Sequence, residues 1–213
     1  MARVVAFGGV SGSGKTTLIE KLVLLARPRY EILVIKHDPK NKAEFDTRGK
    51  DSYRFFHAGA DVVLSSEVKS AIFLHERQEV LELCARFSFK DFIFIEGYKD
   101  LPLPRICVAR RGDFEGVEDS RGLDSERLDS RGSALFGGLA IDRAELVKSS
   151  ALATDEASLL DGSSLLDGSS LLDGYGGEML EGFGGEVLDL NAPQKIFSWI
   201  QRHAKEVGDL GTR

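Results

Sequence analysis

The stretch Gly9-Val10-Ser11-Gly12-Ser13-Gly14-Lys15-Thr16 decides the fold. It is a complete G-x-x-x-x-G-K-S/T phosphate-binding loop, and its neighbours are what that loop requires. Before it, Arg3 to Phe7 reads as a buried strand. After it, Thr16 to Leu25 carries Leu18, Ile19, Leu22, Val23 and Leu25 at helical spacing. The glycines therefore fall at a strand-to-helix turn, where backbone amides and the helix N-terminus converge on one anion. The pattern predicts a nucleoside triphosphate site. Gly9, Gly12, Ser13, Gly14 and Thr17 wrap the phosphates, the Lys15 ammonium reaches the terminal ones, and the Thr16 hydroxyl faces Mg2+.

The rest of the first half repeats the alternation. Tyr30 to Lys36 is a second apolar run rich in Ile and Val. A polar stretch follows from His37 to Lys50, then a short helix over Asp51 to Ala58 that Gly59 terminates. Asp61 to Ser65 and Ser70 to Leu74 read as short neighbouring strands, Glu79 to Phe87 as a helix, and Phe92 to Ile95 and Arg105 to Ala109 as buried strands. Strands alternating with helices imply an α/β fold: a mostly parallel sheet with helices on both faces, its ligands at the carboxyl ends of the strands. At 213 residues and 42% hydrophobic, the chain suits a single domain over residues 1–213.

The second half differs in kind. From Arg111 to Lys148 the sequence mixes charges and glycines, with the near-repeats Ser120 to Ser125 and Leu128 to Gly132. Leu159-Leu160-Asp161-Gly162-Ser163-Ser164 then recurs at Leu165 and begins again at Leu171, and Gly176-Gly177-Glu178 recurs as Gly184-Gly185-Glu186. Too few copies are present to stack into a solenoid. The segments near 111–148 and 156–186 read as low-complexity insertions, and the repeats suit a mobile surface loop first, with a local turn-rich β structure or a partner-binding segment as the alternatives. Order resumes at Val187 to Leu190, after which Asn191 is placed to cap a final helix with Gln194 at the reciprocal position and Ile196, Phe197 and Ile200 facing inward.

Composition limits the function. Lys and Arg total 28 against 34 Asp and Glu, a net charge of -6, so no overall basic footprint points to nucleic acid or an anionic membrane. No apolar stretch approaches the roughly 18 residues that span a bilayer, and no signal-peptide pattern precedes the first strand, which leads to the expectation of a cytoplasmic protein. The two cysteines, Cys84 and Cys107, lie in apolar runs and read as reduced core residues. Neither they nor the four histidines have metal-ligand spacing, so the expected metal is the Mg2+ of the nucleotide.

Three further groups complete the candidate site. Glu96 ends the strand Phe92 to Ile95 and precedes Gly97, whose missing side chain lets the backbone approach the terminal phosphate. A carboxylate there can hold the Mg2+ shell opposite Thr16, the plainer alternative being a solvated glutamate at a strand end. The block Asp46-Thr47-Arg48-Gly49-Lys50-Asp51-Ser52-Tyr53-Arg54 admits two readings from its residues. One is a solvated charged loop; the other is a switch-like loop in which Asp46 or Asp51 meets the metal shell and Lys50 and Arg54 bind phosphates. Ala151 to Asp155 reads as a late strand whose aspartate either accepts hydrogen bonds from guanine or makes an ordinary strand-end turn.

Together the phosphate loop, Lys36-His37, the Asp46 to Arg54 block, Ala58-Gly59-Ala60 and Glu96-Gly97-Tyr98-Lys99 resemble the molybdopterin-guanine dinucleotide biosynthesis protein B family. The G-K-D-S-Y-R string followed by A-G-A carries most of that resemblance. It spans residues 1–110 and resumes at Ala151 to Asp155 and at Leu188 to Asn191 with the terminal helix. It implies a P-loop NTPase three-layer sandwich, usually homodimeric, that binds GTP with Mg2+ and hydrolyses it weakly. It also implies a guanylyltransferase partner that attaches GMP to molybdopterin, itself a candidate ligand. Carried over by position, Gly12 to Thr17 hold the GTP phosphates and Thr16 and Glu96 hold Mg2+. Asp46, Lys50, Asp51 and Arg54 lie beside the nucleotide, and Lys15, Asp46 and Glu96 act in hydrolysis. The two insertions depart from the family pattern and leave Asp155 as base reader on a short anchor.

Two other functions compete. A P-loop small-molecule kinase using ATP would need a lid, for which Arg110, Arg111, Arg121, Arg127 and Arg131 are the candidates, but interleaved Asp113, Glu115, Asp119, Asp124 and Asp129 cancel their charge. A nucleotide-binding scaffold without hydrolysis differs from the adaptor only in turnover.

Overall fold

A computed structural model describes residues 1–44, 46–109, 149–154 and 185–211. Residues 110–148 and 155–184, with Asp155 and the kinase-lid arginines among them, lie outside the described residues, and the second expected insertion is corrected at its end, where Glu186 already stands in a strand. By their internal contacts the residues fall into two compact units, Met1–His37 with Cys84–Arg213, and Asp38–Leu83.

The first unit is built on one sheet. Its strands are β1 (Arg3–Gly8), β2 (Ile32–Lys36), β5 (Phe92–Glu96), β6 (Arg105–Ala109), β7 (Ala151–Thr154) and β8 (Glu186–Asp189), in the order β2-β5-β1-β6-β7-β8. All these pairs are parallel, and only the two-residue β9 (Lys205–Glu206) runs antiparallel, against the start of β1. This is the mostly parallel sheet that the alternating pattern predicts.

Burial explains why the central strands read as unbroken apolar runs. Val4 to Phe7, Phe92 to Ile95 and Ile106 to Ala109 are all fully buried, so both faces of the sheet are covered. On one face Val5, Phe7, Phe94, Ile106 and Val108 join a core with Leu18, Ile19 and Leu22 of α1 (Lys15–Ala26) and Ile196, Phe197, Trp199 and Ile200 of α4 (Pro193–His203). Tyr30 links that layer to the sheet, packing edge-on to Phe92 at 5.3 Å between ring centres, and its hydroxyl accepts from Gln201 Nε2 at 3.1 Å. Cys84 and Cys107 are buried thiols outside any disulfide, as expected; burial pushes the Cys84 thiol from 9.0 up to about 11.

One expected cap is corrected. Asn191 does not cap α4: the helix begins at Pro193, its N-cap is Ala192 and no side chain bonds there. Proline at the first helical position needs no N–H partner and sets φ for the helix, which shifts the start past Asn191. Asn191 instead donates its backbone N–H to Asp189 Oδ1 at 2.8 Å, an Asx turn at the end of β8.

The second unit contains α2 (Asp51–His57) and a hairpin of β3 (Val62–Ser65) and β4 (Ser70–Phe73). The two short strands pair antiparallel as their own two-stranded sheet. Ser66 closes the hairpin, its Oγ accepting from Lys69 N at 3.1 Å. The Ala58-Gly59-Ala60 string has a local cause: Gly59 adopts φ +101, its N–H reaches Phe56 O and the Ala60 N–H reaches Phe55 O. That pair of bonds is a Schellman cap, for which glycine is favoured. The unit leaves Phe55, Val63, Leu64, Val68 and Ile72 exposed. α3 (Val80–Arg86) spans the sequence boundary between the units.

Candidate phosphate and metal site

β1 lies between β5 and β6, so the loop after it opens where the strand order reverses, at the carboxyl edge of the sheet. The loop's shape depends on glycines. Gly12 and Gly14 sit at φ +87 and +97, and Gly14 is the N-cap of α1. Gly9 sits at φ +118, and a β-carbon there would lie 2.2 Å from the Val108 carbonyl oxygen. Any side chain at Gly9 would push the loop off β6. Ser13 is fully buried, and the Lys15 ammonium folds over the loop to donate to the Gly9 carbonyl at 2.9 Å and to that of Val10. Ser11, Gly12, Gly14, Lys15, Thr16 and Thr17 thus line a cavity of about 300 Å³.

Two more side chains complete that cavity, Glu96 and Lys36. Thr16 Oγ1 stands 3.3 Å from each carboxylate oxygen of Glu96, which joins the two residues expected to share the metal. Lys36 ends β2 and is in register with Glu96 across the β2–β5 ladder, which brings its Nζ to 2.8 Å from Glu96 Oε1. Sequence reading gave Lys36 no role. A lysine at a strand end looks solvated until the pairing of residues 60 positions apart is known.

The turn after Glu96 is held from several sides. Gly97 takes φ +98 and donates its N–H to Phe7 O at 3.1 Å, while a β-carbon on it would lie 2.7 Å from the β-carbon of His37. Gly97 is therefore needed for packing as well as for access. His37 stacks on Tyr98 at 4.2 Å, and its N–H reaches Glu96 O at 2.9 Å. Arg105, only 2% exposed, donates to Gly97 O at 3.1 Å and to Tyr98 O at 2.6 Å. These contacts hold the backbone of the turn that follows Glu96; the strand-like run around Arg105 conceals that role.

The donor set fits Mg2+. A hydroxyl and a carboxylate are hard oxygen donors, and Mg2+ usually takes one or two carboxylates with phosphates and water rather than a full protein cage.

The remaining predicted residues lie in the second unit. Asp46 and Arg48 line a separate cavity of about 820 Å³ with Tyr53, Phe56, His57 and Phe73. Asp46 Oδ1 accepts from Thr47 N at 2.7 Å, while its Oδ2 is buried with no hydrogen-bond partner among the described residues. Asp51 opens α2, where its charge suits the helix N-terminus, and its contact with Arg54 at 3.7 Å is solvent-exposed at both ends. Lys50 is the N-cap residue of α2.

A family model for molybdopterin guanine dinucleotide synthesis protein B matches residues 4–132, more than half of the chain. The chain belongs to this family. Among MobB relatives, it is 39% identical over 110 residues to a molybdopterin-guanine dinucleotide biosynthesis adapter protein of Haemophilus influenzae, covering 48% of this chain and 61% of that one. It is 34% identical over 124 residues to a putative adapter protein of the same name from Methanocaldococcus jannaschii, covering 55% and 51%. The match thus spans between half and two thirds of the length of these curated relatives. The crystal structure of Bacillus subtilis MobB superposes with a TM-score of 0.58 at 17% identity, over 96% of this chain and 99% of that one, a likeness of fold. No helix among the described residues is long and apolar enough to cross a membrane.

Proposed function

We propose that this chain is a GTP-binding adaptor of molybdopterin guanine dinucleotide biosynthesis, with weak Mg2+-dependent GTPase activity, that assists a guanylyltransferase. The observation that carries the nucleotide reading is one cavity bounded by the glycine loop, the α1 N-terminus, Lys15, Thr16, Lys36 and Glu96. Its chemistry is that of a metal-bound phosphate chain: amides and ammonium groups for the phosphates, hydroxyl and carboxylate for the metal. The adaptor role rests on family membership and on the names of the relatives.

Bound Mg2+ would neutralise charge developing on the phosphates. Lys15 holds the terminal phosphates, Thr16 and Glu96 orient the metal, and the Arg105-braced turn keeps Glu96 in place. Among the described residues Glu96 is the carboxylate that lines the cavity, and it is paired with Lys36; weak turnover is assigned on the family resemblance. Asp46, Lys50, Asp51 and Arg54 are assigned to the same GTP chemistry, Asp46 as a participant in hydrolysis, on the family resemblance. Asp155 is assigned to guanine on the same ground. The exposed apolar residues of the second unit support a homodimer, and a cytoplasmic location is part of the same reading.

The nucleotide reading is tested by Glu96→Gln. Mg2+-dependent GTP turnover is expected to fall more than Mg2+-free nucleotide binding; equal loss of both would remove Glu96 from the metal. For the adaptor role, affinity capture from cells making the cofactor is expected to recover a guanylyltransferase. Recovery of no such component would contradict it.

A further inference from the structure

Lys36 is the cavity's unassigned cation. Its side chain is 61% exposed while that of its partner Glu96 is 12% exposed, so the carboxylate is the buried end of the pair and the lysine the end with room to move. Glu96 is also the residue that stands 3.3 Å from the Thr16 hydroxyl. Anything that draws Glu96 toward a metal at Thr16 competes with Lys36 for the same oxygens.

We propose that Lys36 reads the outermost phosphate of a nucleoside triphosphate, pairing with Glu96 until Mg2+ claims that carboxylate and then turning its ammonium to the phosphate. The inference deepens the GTP reading and rests on it. A lysine suits this task because its ammonium is a point charge on a flexible stem, able to exchange one oxyanion for another without a fixed geometry. The Lys15 ammonium is folded onto the loop carbonyls, whereas Lys36 enters the cavity from β2, at the level of Glu96 rather than of the loop. A diphosphate offers no outer phosphate. With it, displacing Lys36 from Glu96 leaves the ammonium without a new anionic partner, so Mg2+ favours the triphosphate selectively. Lys36 thereby couples metal binding to phosphate count.

Calorimetric affinities of GTP and GDP for the full chain, each with Mg2+ and with EDTA, test this in wild type, Lys15→Ala, Lys36→Met and Lys36→Arg, with thermal melts confirming the fold. In Mg2+ the preference of wild type for GTP over GDP is expected to shrink about tenfold or more in Lys36→Met, the size of one charge-assisted hydrogen bond. GDP affinity in EDTA should change less than about threefold on the same reasoning, and Lys36→Arg, which keeps a cation at that position with a different geometry, should restore part of the preference. An unchanged GTP-to-GDP ratio in Lys36→Met, with wild type binding and Lys15→Ala weakened, overturns the role of Lys36 alone. Equal loss of GTP and GDP affinity in Lys36→Met also overturns it, since that is a general charge effect. Wild type binding neither nucleotide, or Lys15→Ala binding as wild type does, overturns the GTP reading together with this inference. If Lys36→Met does not fold, Lys36→Gln is measured in its place with the same expected ratio.

Discussion

Val4 to Phe7 in β1 and Val62 to Leu64 in β3 are comparably apolar on paper, yet the first run is fully buried and Val63 and Leu64 are 66% and 41% exposed. The difference is topological. β1 has parallel neighbours on both sides and covered faces, so its residues can only pack, and what remains open is its carboxyl end, where the glycine loop begins. β3 has one partner, β4, and the short α2 packed on that ribbon, where Phe56 meets Phe73 at 6.2 Å between ring centres, buries Val62 but leaves Val63 and Leu64 open. The first unit thus places its chemistry by packing; the second displays apolar surface.

That contrast is open to measurement. The largest effect should come from the first unit's core: Trp199→Ala, at a side chain 1% exposed, is expected to cost about 3–5 kcal/mol in denaturant unfolding. A loss under about 1 kcal/mol would mean that α4 is not integral to this core. Next, Lys15→Ala should weaken GTP binding by about 1.5–3 kcal/mol, roughly tenfold or more, and an unchanged affinity would separate the loop from the nucleotide. Gly97→Ala should destabilise by about 1–3 kcal/mol and lower Mg2+-dependent GTP affinity, because a β-carbon at φ +98 meets His37 at 2.7 Å. If stability falls while Mg2+ dependence is untouched, the turn does not aim Glu96.

A smaller effect concerns Cys84. Its thiol is raised from 9.0 to about 11 in the folded protein, so between those values the unfolded chain releases the proton and the folded chain keeps it. Stability contributed by the protonated thiol is full below pH 9.0 and is lost as pH rises toward about 11. Urea titrations across that range should show a steeper alkaline decline in wild type than in Cys84→Ala, and parallel curves would place Cys84 in contact with solvent. The smallest change is expected in the second unit, where Ile72→Thr at a 61% exposed position should shift monomer stability within about 0.5 kcal/mol. A large loss would show that the hairpin is covered.

How much of this was legible depends on how local each cause is. The central strands were readable because burial on both faces makes a continuous apolar run, and the loop because its glycines, Lys15 and Thr16 are contiguous. Glu96 was readable from its strand-end position. Lys36 and Arg105 were not, because each acquires its role from a partner fixed by sheet pairing or by a turn, and a single charged residue carries no trace of that. Asn191 failed as a cap because Pro193, two residues on, sets the helix start more strongly than a polar side chain does. The separation of Asp38–Leu83 as its own unit was likewise invisible, since the strand pattern of its hairpin is the same whether or not it joins the main sheet.

The most direct test of the central claim is calorimetry of GTP and ATP with the same preparation, salt, pH and Mg2+. The account predicts GTP bound more tightly by about tenfold, or about 1.4 kcal/mol, with both affinities dependent on Lys15. Tighter binding of ATP would contradict it and move the chain toward a small-molecule kinase.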